Sequence, residues 1–265
     1  MKMDVMPAVW TPRPCTYAEL ASPVARVIAR AMGEEWQCHR KLWEYVAIAR
    51  AIREVVEPGS KALGFGVGRE PLASHFAAQG LRVVATDQVV GGDWSATAQH
   101  ASALADLHRL NVCDASLFYN RVAFRHVDMN DIPEDLDGQF DLTWSSCALE
   151  HLGSIEKGLA FFRRQMRCLV PGGWAFHTTE LAVDEDAPRR EEGQTVVFRR
   201  SEIRRLVDEL LEDGMVVPEP DFRLGDAPED LAVGSMARPG DTPHLRLDLG
   251  GVVTTSFLMV AGRPA

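Results

Sequence analysis

No stretch of the chain carries the continuous apolar run that a membrane-spanning helix needs. The longest late apolar segment, Val252 to Ala261, is too short and contains Thr254, Thr255 and Ser256. The opening residues, MKMDVMPAVW, lack the apolar core of a secretory signal. These absences predict a cytoplasmic protein with no membrane segment. Cysteine is scarce: Cys15, Cys38, Cys113, Cys147 and Cys168 make five, and no two are spaced C-x-x-C. An odd, scattered set argues against a disulfide framework or a thiolate zinc site. Positive charge is also in short supply, with 28 Lys and Arg against 38 Asp and Glu and a net charge of −10. Such a surface repels phosphate backbones, so no nucleic-acid partner is expected. Internal repeats and low-complexity tracts are absent as well.

What is present suits a globular protein. Hydrophobic residues make up 46% and charged residues 25%, enough to build one large α/β domain with an extension. Residues 1–34 read as irregular, broken by Pro7, Pro12, Pro14 and Pro23. Over 35–56, Leu42, Tyr45, Val46, Ala49, Ile52 and Val56 recur at helical spacing, and Pro58-Gly59 ends the run. Residues 1–58 are therefore expected to form a helical N-terminal extension acting as a lid, and 59–265 the main domain. From Lys61 onward strands and helices alternate. Lys61–Phe65, Arg82–Thr86, Val122–Val127, Phe140–Ser145 and Trp174–Thr178 read as strands, and Glu70–Gln79 and Ser154–Cys168 as helices. Residues 183–194 read as a surface loop, and Ser201 as the cap of a helix reaching about Glu212. The β-rich runs near Met215–Phe222 and His244–Val260 suit a terminal hairpin. The pattern predicts a seven-stranded, mostly parallel α/β sheet with helices on both faces and a C-terminal antiparallel hairpin.

The chemistry-bearing residues fall at strand ends. Gly64, Gly66 and Gly68 make a G-x-G-x-G turn between a strand and its helix. Glycines there let a ligand approach the backbone closely, although a tight turn alone also explains them. A dinucleotide turn would read G-x-G-x-x-G, with a helix N-terminus facing a pyrophosphate. Here Arg69 and Glu70 follow, and Glu70 would repel that group. The spacing favours a ligand without phosphates. Asp87 ends the next strand, where a carboxylate can accept hydrogen bonds from both hydroxyls of a ribose. Asp128 and Met129 end the third, where they can meet an adenine amino group and ring. A solvated Asp or a core Met is the plainer reading of each.

In this order and spacing, Gly64-x-Gly66-x-Gly68, Asp87, Asp128-Met129, Phe140-Asp141 and Leu169-x-Pro171-Gly172-Gly173 resemble the class I, Rossmann-like S-adenosylmethionine (SAM)-dependent methyltransferases. The resemblance covers about 61–180. The runs His39-Arg40-Lys41-x-Trp43-Glu44-Tyr45, Trp144 to Ser154 and His177-Thr178-Thr179-Glu180 are similar to a bacterial subfamily often predicted to serve glycan or secondary-metabolite pathways. The resemblance implies SAM as cofactor, held by Gly64, Gly66, Gly68, Asp87, Asp128, Met129 and Ser145. It implies methyl transfer to a small-molecule or glycan acceptor, as an O-methyltransferase. The methyl group is already activated on its sulfonium, so transfer is an in-line displacement and the protein supplies mainly alignment. A hydroxyl acceptor needs a base as well. The residues implied for that base, at the ends of strands four and five, are Glu150, His151, His177 and Glu180. A solvated helix-start pair and a satisfied buried histidine are the structural readings of the same positions. Their spacing is not H-E-x-x-H, and no metal is expected. The family usually carries an acidic residue two positions before the first glycine; here it is Ala62, with Glu70 as a candidate substitute. Trp43 suits the core, Tyr45 the core or the pocket, and Trp94 either an adenine stack or a buried anchor. Two other functions compete: a nicotinamide-dependent oxidoreductase, and a SAM-binding module without catalysis.

Overall fold

A computed structural model of the chain describes residues 6–89, 99–235 and 242–265. Their strands are β1 (Arg13–Pro14), β2 (Lys61–Gly64), β3 (Arg82–Asp87), β4 (Val122–His126), β5 (Phe140–Ser146), β6 (Leu169–Ala182), β7 (Val233–Ser235), β8 (Arg246–Asp248) and β9 (Val253–Gly262). The helices are α1 (Tyr17–Leu20), α2 (Pro23–Ala31), α3 (Arg40–Arg53), α4 (Leu72–Ala78), α5 (Ala115–Arg121), α6 (Ile155–Gln165), α7 (Arg200–Glu212) and α8 (Pro228–Leu231). No described helix is long and apolar enough to cross a membrane.

The strands form one sheet in the order β4-β3-β2-β5-β6-β9-β8-β7, with β1 also paired to β9. Strands β4, β3, β2, β5 and β6 are mutually parallel, and β9 runs antiparallel to β6 and β8. The sheet has nine strands where the sequence pattern suggested seven. The additions include the two-residue β1 and three-residue β7, too short to carry a period-2 signal. The terminal hairpin lies within the last β-rich run, as β8 and β9. Residues 215–222 contribute the bridge of Val216 to Gly262.

Local chemistry sets the helix starts. Ser22 Oγ accepts from Ala25 N, and Pro23 occupies the first turn of α2. A proline expected as a breaker thus begins a helix. Ser154 caps α6 in the same way. At α7 the cap is Arg199, whose backbone N–H donates to Glu202, and Ser201 lies inside the helix rather than at its cap.

Side-chain alternation along the strands divides the core between the two faces. On one face Ala62, Val83, Trp144, Phe176 and Leu258 pack with residues of α2, α3 and α4. On the other, Leu63, Phe65, Ala175 and Met259 pack with α6 and α7. The N-terminal segment belongs to the first core. Trp10, Leu20 and Trp43 are fully buried, Trp10 Nε1 donates to Ala51 O at 2.9 Å, and β1 extends the sheet. Trp10, Leu20 and Trp43 thus tie this segment into the core.

Candidate active site

A cavity of about 450 Å³ opens at the carboxyl ends of β2, β3, β4 and β5. Strand order reverses between β2 and β5, and open α/β sheets bind ligands at such a switch point. The turn after β2 forms one wall. Gly66 and Gly68 have φ of +54° and +52°, a region where a side chain is strained. A Cβ on Gly66 would also meet Ala148 Cβ at 3.1 Å and Met129 Sδ at 3.2 Å; one on Gly68 would lie 2.7 Å from Gln99 O. Bare backbone here keeps the cavity open and lets residue 99 close on the turn.

Asp87, at the end of β3, lines the cavity and stitches its wall. Its Oδ2 accepts from Gly68 N and Ala101 N, both at 3.1 Å, and its Oδ1 from Gln88 N at 2.8 Å. His100 Nδ1 stands 3.4 Å from Oδ1. A carboxylate offers about four acceptor positions, of which backbone N–H groups take three here, and His100 faces the Oδ1 side. Asp128 and Met129 line the cavity past β4, and Asp128 Oδ1 fixes its own loop by accepting from Asn130 N at 2.8 Å.

Helix α3 delivers Lys41 and Tyr45 to the cavity. Beneath them Glu44, fully buried, gathers the turn after β5. Glu44 accepts from Lys41 Nζ (2.9 Å), Ser146 Oγ (2.9 Å), Cys147 Sγ (3.0 Å) and Ser256 Oγ (2.5 Å). Burial alone would raise its pKa; the cations of Lys41 and Arg40 outweigh that and hold it at about 2. Glu70, also buried, accepts from Trp144 Nε1 at 3.3 Å, and burial pushes its pKa up to about 8 despite Lys41.

The sequence candidates separate on this geometry. Gly66, Gly68, Asp87, Asp128, Met129 and His151 line the cavity. Gly64 does not: a Cβ there would strike the Trp144 ring at 2.3 Å, so this glycine serves packing. Ser145 and His177 also lie elsewhere. Along β5 and β6 their side chains share the face of Ala175, toward α6. His177 is fully buried, bonded to Ser145 Oγ at 2.7 Å and flanked by Phe161 and Phe162. Burial lowers its pKa to about 3, which keeps it neutral. It does not line the cavity. Ser146, one residue on, reaches the cavity instead. Glu150 and Glu180 lie behind the wall; Thr179 Oγ1 donates to Glu150 at 3.0 Å, and Arg40 pairs with Glu180. His151 has Nδ1 2.9 Å from Gln194 O, and burial lowers its pKa to about 4. A carbonyl partner requires the proton on Nδ1, which leaves Nε2 as the basic nitrogen. Trp94 falls outside the described residues. His39 caps α3, its Nδ1 accepting from Lys41 N, and Trp43 Nε1 donates to Glu19 in the core. The unassigned contributors are Lys41, Glu44, Ser146 and Cys147. Their only sequence signal is membership of runs quoted for the resemblance.

No curated protein sequence matches the chain. A family described as a methyltransferase domain matches residues 63–177. Among solved structures, the [4+2]-cyclase SpnF is similar at 16% identity, covering 91% of this chain and 93% of that one, with a TM-score of 0.54. Geranyl diphosphate C-methyltransferase of Streptomyces coelicolor A3(2), in complex with Mg²⁺, geranyl diphosphate and S-adenosyl-L-homocysteine, is similar at 15% identity, covering 96% and 90%, with a TM-score of 0.51. Phosphoethanolamine N-methyltransferase 2 of Haemonchus contortus, in complex with SAM, is similar at 14% identity and a TM-score of 0.49. The alignment covers 83% of this chain and 52% of that one, so this chain spans about half that relative's length. The domain match sets the nicotinamide-dependent reading aside. Residues 63–177 thus carry a methyltransferase domain, and the sheet that holds them has the class I, Rossmann-like fold of the SAM-dependent methyltransferases.

Proposed function

We propose that the cavity holds SAM with its nucleoside over β3 and β4, and that the methyl group goes to a hydroxyl of a small molecule or sugar. In this reading Asp87 accepts from the ribose, Asp128 from the adenine amino group, and Met129 lies against the ring. The aminoacyl end lies toward α3, where the Lys41 ammonium suits its carboxylate and Glu70 its ammonium. Glu70 thereby takes the part of the acid missing at Ala62. The observation that carries the hydroxyl acceptor is His151. It lines the cavity, and its Gln194 contact leaves Nε2 unprotonated, the state a base requires.

The test uses methyl-labelled SAM with a panel of sugars and phenols, followed by single-turnover rates. Replacing a true base should slow transfer by about 10²–10⁴-fold with little change in cofactor affinity. His151→Ala is expected to behave in that way. Equal rates for wild type and variant would redirect the assignment to an amine or thiol acceptor.

A further inference from the structure

We propose that Cys147, Glu150 and Glu180 form a site for one divalent cation of the zinc class, set into the wall of the cavity. One ligand atom from each lies within 4.8 Å of the other two. The three come from neighbouring strand ends: Cys147 and Glu150 follow β5, and Glu180 lies on β6, two residues beyond the Ser146–Thr178 pair. No short sequence spacing unites them, which is why the sequence carries no metal signature.

The second observation is an incomplete set of partners. Glu150 is fully buried and Glu180 is 4% exposed. One oxygen of each is engaged, Glu150 Oε2 by Thr179 Oγ1 and Glu180 Oε1 by Arg40. The other two, Glu150 Oε1 and Glu180 Oε2, are buried and accept no hydrogen bond. Bare buried carboxylate oxygens are costly, and a cation between them satisfies both. Local charge agrees. Three buried carboxylates, Glu44, Glu150 and Glu180, face two cations, Arg40 and Lys41. Once the Glu150 carboxyl, which burial holds protonated up to about pH 8, and the Cys147 thiol have given up their protons, two negative charges stand in excess, which a divalent ion balances.

The ligand types select the metal. A thiolate with two carboxylates suits Zn²⁺, whereas Mg²⁺ and Ca²⁺ favour oxygen ligands alone. Three protein ligands leave a coordination position open, as in catalytic rather than structural zinc sites. Cys147 also lines the cavity, so that position faces the space where an acceptor heteroatom would sit. Binding forms a sulfur–metal bond; the thiol proton, now donated to Glu44 at 3.0 Å, and the proton that burial holds on Glu150 leave to solvent, and no electron moves. The site stands independently of the methyl-transfer reading.

The test takes the full chain, stripped with a chelator, and titrates it with Zn²⁺ and then Co²⁺. The expected result is one equivalent per chain, with a thiolate-to-cobalt charge-transfer band. Binding should weaken roughly tenfold or more in Cys147→Ser and in Glu150→Gln, and stay as in wild type in Cys113→Ser. Glu150→Gln removes a buried carboxylate with a bare oxygen, so it is expected to fold, and its melting temperature checks this. Absence of stoichiometric binding overturns the site. So does a band that persists at wild-type affinity in Cys147→Ser; the two carboxyls then share a proton instead. Titration of the same samples with S-adenosylhomocysteine reports separately on the cofactor site.

Discussion

In the proposed reading, Glu70 ties cofactor binding to pH. The charged groups facing it are Lys41, Glu44 and Asp87, and among the described residues its hydrogen-bond donor is Trp144. Its folded pKa, about 8, lies above the ordinary value of about 4.3. The folded state therefore keeps a proton that the unfolded state loses. The associated stability is full below the unfolded pKa and falls as pH rises toward 8, by on the order of 5 kcal/mol in all. A ligand ammonium beside Glu70 reverses the preference and ionises it. S-adenosylhomocysteine binding at pH 7 is thus expected to release close to one proton and to tighten between pH 6 and 8. Calorimetry in buffers of different ionisation enthalpy counts that proton. The count should vanish in Glu70→Gln; an unchanged count would contradict the assignment. His177 makes the opposite prediction. His177→Ala leaves Ser145 unpaired in the core and should cost about 1–3 kcal/mol of stability. Cofactor affinity, measured on the same protein, should stay at the wild-type value.

At the scale of elements, α3 and the segment before it join the cavity to the core. Trp10 is fully buried, packs at a tilt against Trp174 with ring centroids 4.2 Å apart and donates to the carbonyl of Ala51 on α3. Trp10→Ala is expected to cost about 3–5 kcal/mol, with the melting temperature falling by roughly 2–4 °C per kcal/mol in a chain of this size. A variant that melts like wild type would restore the picture of a separable lid. The parallel strands were legible because their apolar runs are bounded by turn residues, and Asp87, Asp128 and Met129 were legible as strand ends. Which face a residue takes was not, since a step of one residue exchanges the faces. That single step separates Ser145, which meets His177 in the core, from Ser146, which reaches the cavity. Lys41 and Glu44 were hidden for another reason. They act on Ser146 and Cys147 from a helix about a hundred residues earlier, and no local pattern records such a contact.

For the molecule as a whole, the two halves of the sheet have different duties. The parallel strands β4, β3, β2 and β5 end at the cavity, and the antiparallel half anchors Glu44 from below through Ser256 on β9. In the proposed reading Asp87, Asp128 and Met129 serve one end of the cofactor, and Lys41, Glu70, Cys147 and His151 the other; all seven line the cavity. The central claim is that a SAM-class cofactor spans them in that direction. The most direct measurement is a crystal structure of the full chain with S-adenosylhomocysteine. The account predicts the ribose within hydrogen-bond distance of Asp87, the adenine against Met129, and the sulfur directed toward Cys147 and His151. A ligand bound in the reverse sense, or outside this cavity, would contradict it.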